Sequence, residues 1–473
     1  MKSFSQKQKN LIFNFLFKKG IKMNNDFRLY RLVDRESNAR TYSRNIDRVL
    51  SKGKLSYVYD SENKEYIDCL ACAGALPLGH NHPFVKQKII EFLESGQLQQ
   101  ALDIATPAKI NFVEQLYQIL PQSFARQAKI QFCGPTGADA IEAALKLFKT
   151  ATGRRSIIVF QGAYHGMTHG ALSLMGNLTP KRFVTGLSAE IQFLPYPYTF
   201  RSPFGATTSV SETERLSLVS LENLLSDPES GITKPAMVLV EVIQGEGGCI
   251  PVSANWLHQV REITARHDVP LVIDEVQTGI GRTGDMFAYE FADITPDAIV
   301  LSKAIGGGYP LAVLLYRDIY DQWLPGAHAG TFRGNQIALV SGAATLDFIQ
   351  RENLLDQINY TGNLLKNRLL ELQDDYPAIG DVRGRGLMLG LELIDLDSPP
   401  DALGHPLANG KLAQIVKKCC FDAGLIIESG GRQSAVLRML PPLIITPQDV
   451  NNIVERLRSA FSIACSNYNY QPS

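Results

Sequence analysis

From about residue 125 onward, short apolar runs alternate with stretches whose apolar residues recur every three or four positions. The runs are AKIQFC (128–133), SIIVF (156–160), AMVLVEVI (236–243), PLVIDEV (270–276), DAIVLS (297–302) and LAVLLY (311–316). Near-continuous apolar runs predict strands buried on both faces, and GADAIEAALKLFKTA and residues 253–267 carry helical spacing between them. This alternation predicts an α/β domain built on a mostly parallel sheet. Ligands of such sheets lie beyond the carboxyl ends of the strands, so residues just after each run are the candidates for chemistry. After about residue 345 the pattern changes. Long helical stretches at 341–375, 409–422 and 447–464 flank short strands in GLMLGLELI and AVLRML, which predicts a smaller α+β domain. Near the start, YVYDSENKEYIDCLA (57–71) carries hairpin turn chemistry and is assigned to that smaller domain. The expected division is a basic extension at 1–25, the first part of the small domain at 26–80, a large domain at 81–345 and the rest of the small domain at 346–473.

Charge narrows the partners. Lys+Arg and Asp+Glu are equal at 47 each, so no overall field favours nucleic acid or an acidic membrane, and anionic ligands must be held locally. The basic start, MKSFSQKQKNLIFNFLFKKGIKMNNDF, has its apolar patch broken by Asn14 and lacks a small-residue cleavage site. No later run reaches the length of a membrane span, so a cytoplasmic protein is expected, with Met23 an alternative start. The seven cysteines include one C-x-x-C, Cys69 and Cys72, without the second pair that a zinc site requires. No metal is expected, and the thiols read as reduced.

The strand ends carry an unusual set of groups. After the first run, CGPTGADAIEAALKL turns straight into a helix, so the free N–H groups of Gly137 and Ala138 offer an anion cradle. The next run ends in FQGAYHG, where Tyr164 supplies a flat stacking surface. In LVIDEVQTGIGRTG, Asp274 closes an apolar run where a carboxylate needs a cationic partner, which a protonated heterocycle would provide. Gln277 can donate to a neighbouring phenolate. Lys303, in AIVLSKAIGGG, ends another apolar run and is a candidate nucleophile for a Schiff base. A turn, a cap or a snorkelling lysine would explain each one singly. Together they describe a site for pyridoxal phosphate, which needs an anchor, a stacking face, an electron sink, tuning and a tether. The literal G-x-G-x-x-G at Gly279, Gly281 and Gly284 lacks the following helix of a dinucleotide fingerprint, and is read as a loop-shaping element.

These stretches also resemble a known family. From about Val58 to the end, VYDSENKEYID, LGHNHP, PTGADAIEAALKL, AYHG, EVIQGEGG, LVIDEVQTGIGRTG, SKAIGGG, GTFRGN, VRGRGLMLGLEL and LRMLPPL are similar to class III, fold-type I pyridoxal-phosphate aminotransferases. The resemblance implies a seven-stranded, mostly parallel sheet between helices. It assigns the phosphate to Gly137 and Ala138, the ring face to Tyr164, the ring nitrogen to Asp274, the phenolic oxygen to Gln277 and the covalent tether to Lys303. It also implies a homodimer in which Thr331 of GTFRGN reaches the phosphate of the neighbouring subunit. The cradle departs from the family's Ser/Thr-Gly-Ser/Thr-Glu-Ala, reading Thr136-Gly137-Ala138-Asp139-Ala140. Without a hydroxyl at 138, the anchor should rest on backbone donors and Thr331.

On the substrate side, Arg438 lies inside the apolar run AVLRMLPPL and needs a carboxylate. The resemblance gives it the substrate α-carboxylate, with Glu246 covering it while an amine-ended substrate is bound. A purely structural Arg–Glu pair is the competing reading. ESNARTYSRNIDRVLSKG, ACAGALPLGHNHP and ALDIATPAK are similar to the members that exchange an amino group between L-2,4-diaminobutyrate and 2-oxoglutarate. The expected activity is therefore that of an ω-aminotransferase with these partners. Ornithine, lysine or 4-aminobutyrate transfer, or a decarboxylase or aminomutase on the same cofactor, are the alternatives.

Overall fold

The computed structural model describes residues 32–467, so the basic extension at 1–25 and Met23 lie outside the described residues. At its centre are seven strands in the spatial order Ala128–Phe132, Val313–Arg317, Ala298–Leu301, Leu271–Asp274, Met237–Val240, Ile157–Phe160 and Ile191–Leu194. The four-residue runs at 157–160, 237–240, 271–274 and 298–301 are buried throughout. Alternate residues point to opposite faces and fill two separate cores. Ile158, Phe160, Val238, Val240, Leu271, Ile273, Ile299 and Leu301 pack on one side. Ile157, Val159, Met237, Leu239, Val272, Ala298 and Val300 pack on the other. That two-sided demand is why these strands read as unbroken apolar runs.

Six strands run one way, and the exception corrects the expectation for LAVLLY. Val313–Arg317 pairs antiparallel with both Ala298–Leu301 and Ala128–Phe132. The reason is the connection. Residues 302–312 contain a single 3₁₀ turn, Lys303–Gly306, and no helix that could carry the chain back across the sheet for a parallel return. The seventh strand, Ile191–Leu194, was not picked out by pattern. It is the edge strand, half-buried over most of its length, and so lacks the apolar signature.

The helix Gly137–Thr152 covers the second core with Ala140, Ile141, Ala144, Leu147 and Phe148. Thr136 caps its start by accepting from Asp139 N, and Gly153 ends it in the left-handed region at φ 67°. On the opposite face, Trp256 of Ala254–Arg266 packs edge-on against Phe160, with centroids 5.3 Å apart. Its indole N–H donates to Ser217.

Beyond the sheet, Ile379–Arg385, Met388–Asp395, Val436–Met439 and Glu428–Gly430 form an antiparallel sheet backed by helices. The N-terminal strands Tyr57–Asp60 and Glu65–Asp68 form a hairpin whose turn is held by Asp60, accepting from Glu62 N and Lys64 N at 2.9 Å. Its second strand pairs in parallel with Leu425–Ile426. The expected helical stretch 341–375 is two helices, Gln336–Arg351 and Leu354–Asp375. Asn353 breaks it at φ 48°, a conformation that Asn tolerates better than most residues. All seven cysteines are free, so no disulfide braces the fold. Among the described residues, no helix is long and apolar enough to cross a membrane.

Candidate active site

The carboxyl ends of four neighbouring parallel strands and one helix start converge on a cavity of about 480 Å³. Gly137 and Ala138 open the helix Gly137–Thr152, and Tyr164 and His165 follow Ile157–Phe160. Glu241 follows Met237–Val240, Asp274 ends Leu271–Asp274, and Lys303 follows Ala298–Leu301. Gln277 and Glu246 complete the predicted residues that line it. The glycines of GIGRTG are not among the lining residues, in keeping with their reading as loop formers.

Gly137 is where the cradle requires glycine. A Cβ there would fall 2.8 Å from Cγ1 of Val276, so only a bare backbone brings the helix start this near the strand end. Thr136 caps Asp139 N, which leaves the N–H groups of Gly137 and Ala138 for an anion. Asp139, the departure from the family pattern, turns aside. Its Oδ2 accepts from Gly134 N and faces His328 Nε2 at 2.9 Å.

Asp274 has hydrogen-bond partners within the chain. His165 Nδ1 lies 2.7 Å from Asp274 Oδ2, and Val276 N donates to Oδ1 at 3.0 Å. Each carboxylate oxygen keeps a lone pair for a further donor. Glu241 is the second residue that sequence reading passed over. Its Oε1 accepts from Tyr164 N at 2.9 Å and its Oε2 from Gly245 N at 3.0 Å, tying the aromatic face to the loop bearing Glu246. Burial pushes the Glu241 carboxyl up to about 7, with Asp274 adding to the effect and His165 opposing it. Both residues stood inside motifs already singled out, AYHG and EVIQGEGG; for Glu241, a polar residue directly after a strand run was the available signal.

Lys303 sits at φ 47°, in the left-handed region. Burial lowers its ammonium below the ordinary lysine range, with Arg438 adding to this and Glu246 and Asp274 opposing it. Gln277 Nε2 donates to Ala73 O at 3.2 Å, while its Oε1 is buried without a partner. Arg438 is buried and reaches the cavity through Glu246, which its Nη2 meets at 2.7 Å. Burial disfavours its charge, yet Glu246 holds it firmly protonated. Its Nε and Nη1 are buried with no partner. Thr331, exposed, opens the turn Thr331–Gly334 and does not line this chain's cavity.

Two buried carboxylates with raised affinity for protons have different consequences. Glu275, next to Asp274, accepts from Tyr289 N at 3.0 Å and from the Thr278 hydroxyl, yet burial pushes it up to about 7. Its stabilising contribution is complete below about 4.5 and is lost as pH rises through 7, because the folded chain then holds a buried charge. Urea midpoints of wild type and Glu275→Gln, measured from pH 5 to pH 8, should therefore shift in favour of the variant as pH rises. A constant difference would show that Glu275 does not titrate in this range.

The residues fit pyridoxal phosphate: a glycine-only anion cradle, an oriented buried carboxylate, an orphaned polar atom at His165 Nε2, and a lysine, although the Gln277 amide N–H expected for the phenolic oxygen is given to Ala73 O. Fold and cavity define an aminotransferase of class III, and the model of that family, Aminotransferase class-III, matches residues 39–461. The chain belongs to this family. It is 48% identical to the diaminobutyrate–2-oxoglutarate aminotransferase of Rhizobium meliloti, over 92% of this chain and 93% of that protein. It is 44% identical to the protein of the same name from Haemophilus influenzae, over 90% and 92%. A solved amine transaminase from an uncultivated Pseudomonas species, in its PLP-bound form, shares the fold with a TM-score of 0.80 at 26% identity, over 91% of this chain and 98% of that one.

Proposed function

We propose that this chain moves the terminal amino group of L-2,4-diaminobutyrate to 2-oxoglutarate, giving aspartate 4-semialdehyde and glutamate. The Glu246–Arg438 pair carries this reading. A donor that reacts through its terminal amine has no carboxylate beside the reacting carbon, so a free guanidinium there would be buried and unpaired. Glu246, one-third exposed, covers it. 2-Oxoglutarate does carry a carboxylate beside its keto group, and Arg438 Nη2, freed when Glu246 moves, would pair with the unpartnered Nη1 or Nε to receive it. The names of the two bacterial relatives support diaminobutyrate as the donor.

When bound, pyridoxal phosphate supplies an electrophilic carbonyl carbon and an electron-withdrawing ring. The Gly137 and Ala138 N–H groups and the helix dipole receive the phosphate charge. Asp274, oriented by His165 and Val276 N, holds a proton on the ring nitrogen. Tyr164, its backbone fixed by Glu241, would pack on the ring. Lys303, its basicity tuned down by burial, gives up and takes back a proton at Nζ as the amino group changes carrier. A homodimer completes the site, with Thr331 serving the partner. In support, the Thr331–Gly334 turn lies against residues 99–102, where Ala101 N donates to Gly334 O. Leu98, Leu102, Ile104 and Phe332 are exposed around it. Such an apolar patch is expected to be covered.

A donor panel of diaminobutyrate, ornithine, lysine and 4-aminobutyrate, followed by glutamate release, tests the proposal. Glutamate from diaminobutyrate only when 2-oxoglutarate is present supports it. Preference for another donor overturns the substrate, and carbon dioxide without glutamate overturns the reaction. Glu246→Gln should lower kcat/KM for the diaminobutyrate half-reaction about tenfold, the size expected of one charge-assisted contact, and leave the 2-oxoglutarate half within about twofold. Equal losses in both halves would assign Glu246 a structural role.

A further inference from the structure

A second cavity, of about 410 Å³, lies apart from the active site and is lined by Arg201, Arg432, His405, Gln433, Asp401 and Ser202 among others. None of its lining residues lines the cavity described above. Its lining carries two guanidinium groups against one carboxylate. Arg201 binds Glu392 through Nε and Pro406 O through Nη1, while Nη2 is buried without a partner. His405, 3% exposed, faces Asp401 Oδ2 through Nδ1 at 3.3 Å, and its Nε2 is also buried and unpartnered.

Arg432 forms no ion pair among the described residues; its guanidinium lies 5.7 Å from the Tyr198 ring centroid. The nearby acids are already engaged. Asp401 accepts from Leu403 N, His405 N and the His405 ring. Glu392 is shared by Arg201, Arg383 and the Tyr198 hydroxyl, and Asp381 is paired with Arg383. The lining hydroxyl of Ser202 already accepts from Thr213 and Phe204 N. Burial lowers the Arg432 guanidinium below its ordinary range; Tyr198 and Glu392 oppose the effect, and Arg383 and Arg201 reinforce it. A cation in this setting is short of a counter-charge.

We propose that this cavity is a second ligand site, for a small organic anion bearing carboxylate or phosphate groups, bound by Arg432 and Arg201 Nη2. Its volume exceeds what a lone inorganic ion fills, and two guanidinium groups from separate segments suit an anion with several oxygens.

Calorimetric titration of the holoenzyme with citrate and, separately, inorganic phosphate, against chloride at matched ionic strength, tests it. One anion per chain is expected, with affinity weakened at least tenfold by Arg432→Gln and by Arg201→Gln and retained in Arg438→Gln. Citrate binding without phosphate binding assigns the site to carboxylates, and the reverse assigns it to phosphates. No heat beyond chloride, or binding lost in Arg438→Gln but kept in the other two variants, overturns the proposal. Near-UV circular dichroism confirms that each variant is folded.

Discussion

Lys303→Ala is expected to lower glutamate formation by on the order of 10⁴-fold, the combined loss of a nucleophile and a proton carrier in one residue. Lys303 is the one amine lining the cavity, and burial has already shifted it toward the neutral form that both roles require. The substitution removes a side chain beyond Cβ and touches neither core, so the circular dichroism spectrum should be unchanged. Added methylamine should restore part of the activity by standing in for the missing nitrogen. Turnover close to wild type without added amine would remove Lys303 from the chemistry.

The second large effect is expected at Asp274. Asp274→Asn keeps the volume and a hydrogen-bonding group for His165, but removes the negative charge from a site only 4% exposed. A drop in kcat of roughly 10²–10⁴-fold is expected, within the range for a misplaced catalytic proton. Because the ring nitrogen serves donor and acceptor alike, both half-reactions should slow by the same factor. That pattern separates Asp274 from Glu246, whose substitution should split the halves. Half-reaction rates measured by stopped flow decide between them; an unequal loss in Asp274→Asn would place it on the substrate side.

Much of the site was legible because chemistry-bearing residues at the ends of uniformly apolar runs stand out. Asp274 and Lys303 each follow three or more buried aliphatic residues and have no packing reason to be there. What pattern could not supply were contacts across the sheet. His165 and Asp274 are 109 positions apart, and Glu241 and Tyr164 are 77 apart; the second pair joins neighbouring strands and the first reaches past the strand Met237–Val240, so each meets only because these strands end at the same level. Strand direction was equally hidden, since an apolar run has the same periodicity read either way. Val313–Arg317 reverses because of what separates it from its neighbour, not because of its own residues. The break at Asn353 failed to register because helical spacing continues on both sides of one left-handed residue.

The backbone at Lys303 has a consequence for how the chain can change. A lysine held at φ 47° sits in a conformation that costs an L-residue about 1–2 kcal/mol and costs glycine far less. Selection for folding alone would replace it, and the replacement would be sturdier but inert. Activity and stability therefore pull this position in opposite directions, and a lineage released from the need for the reaction would lose its amine here early.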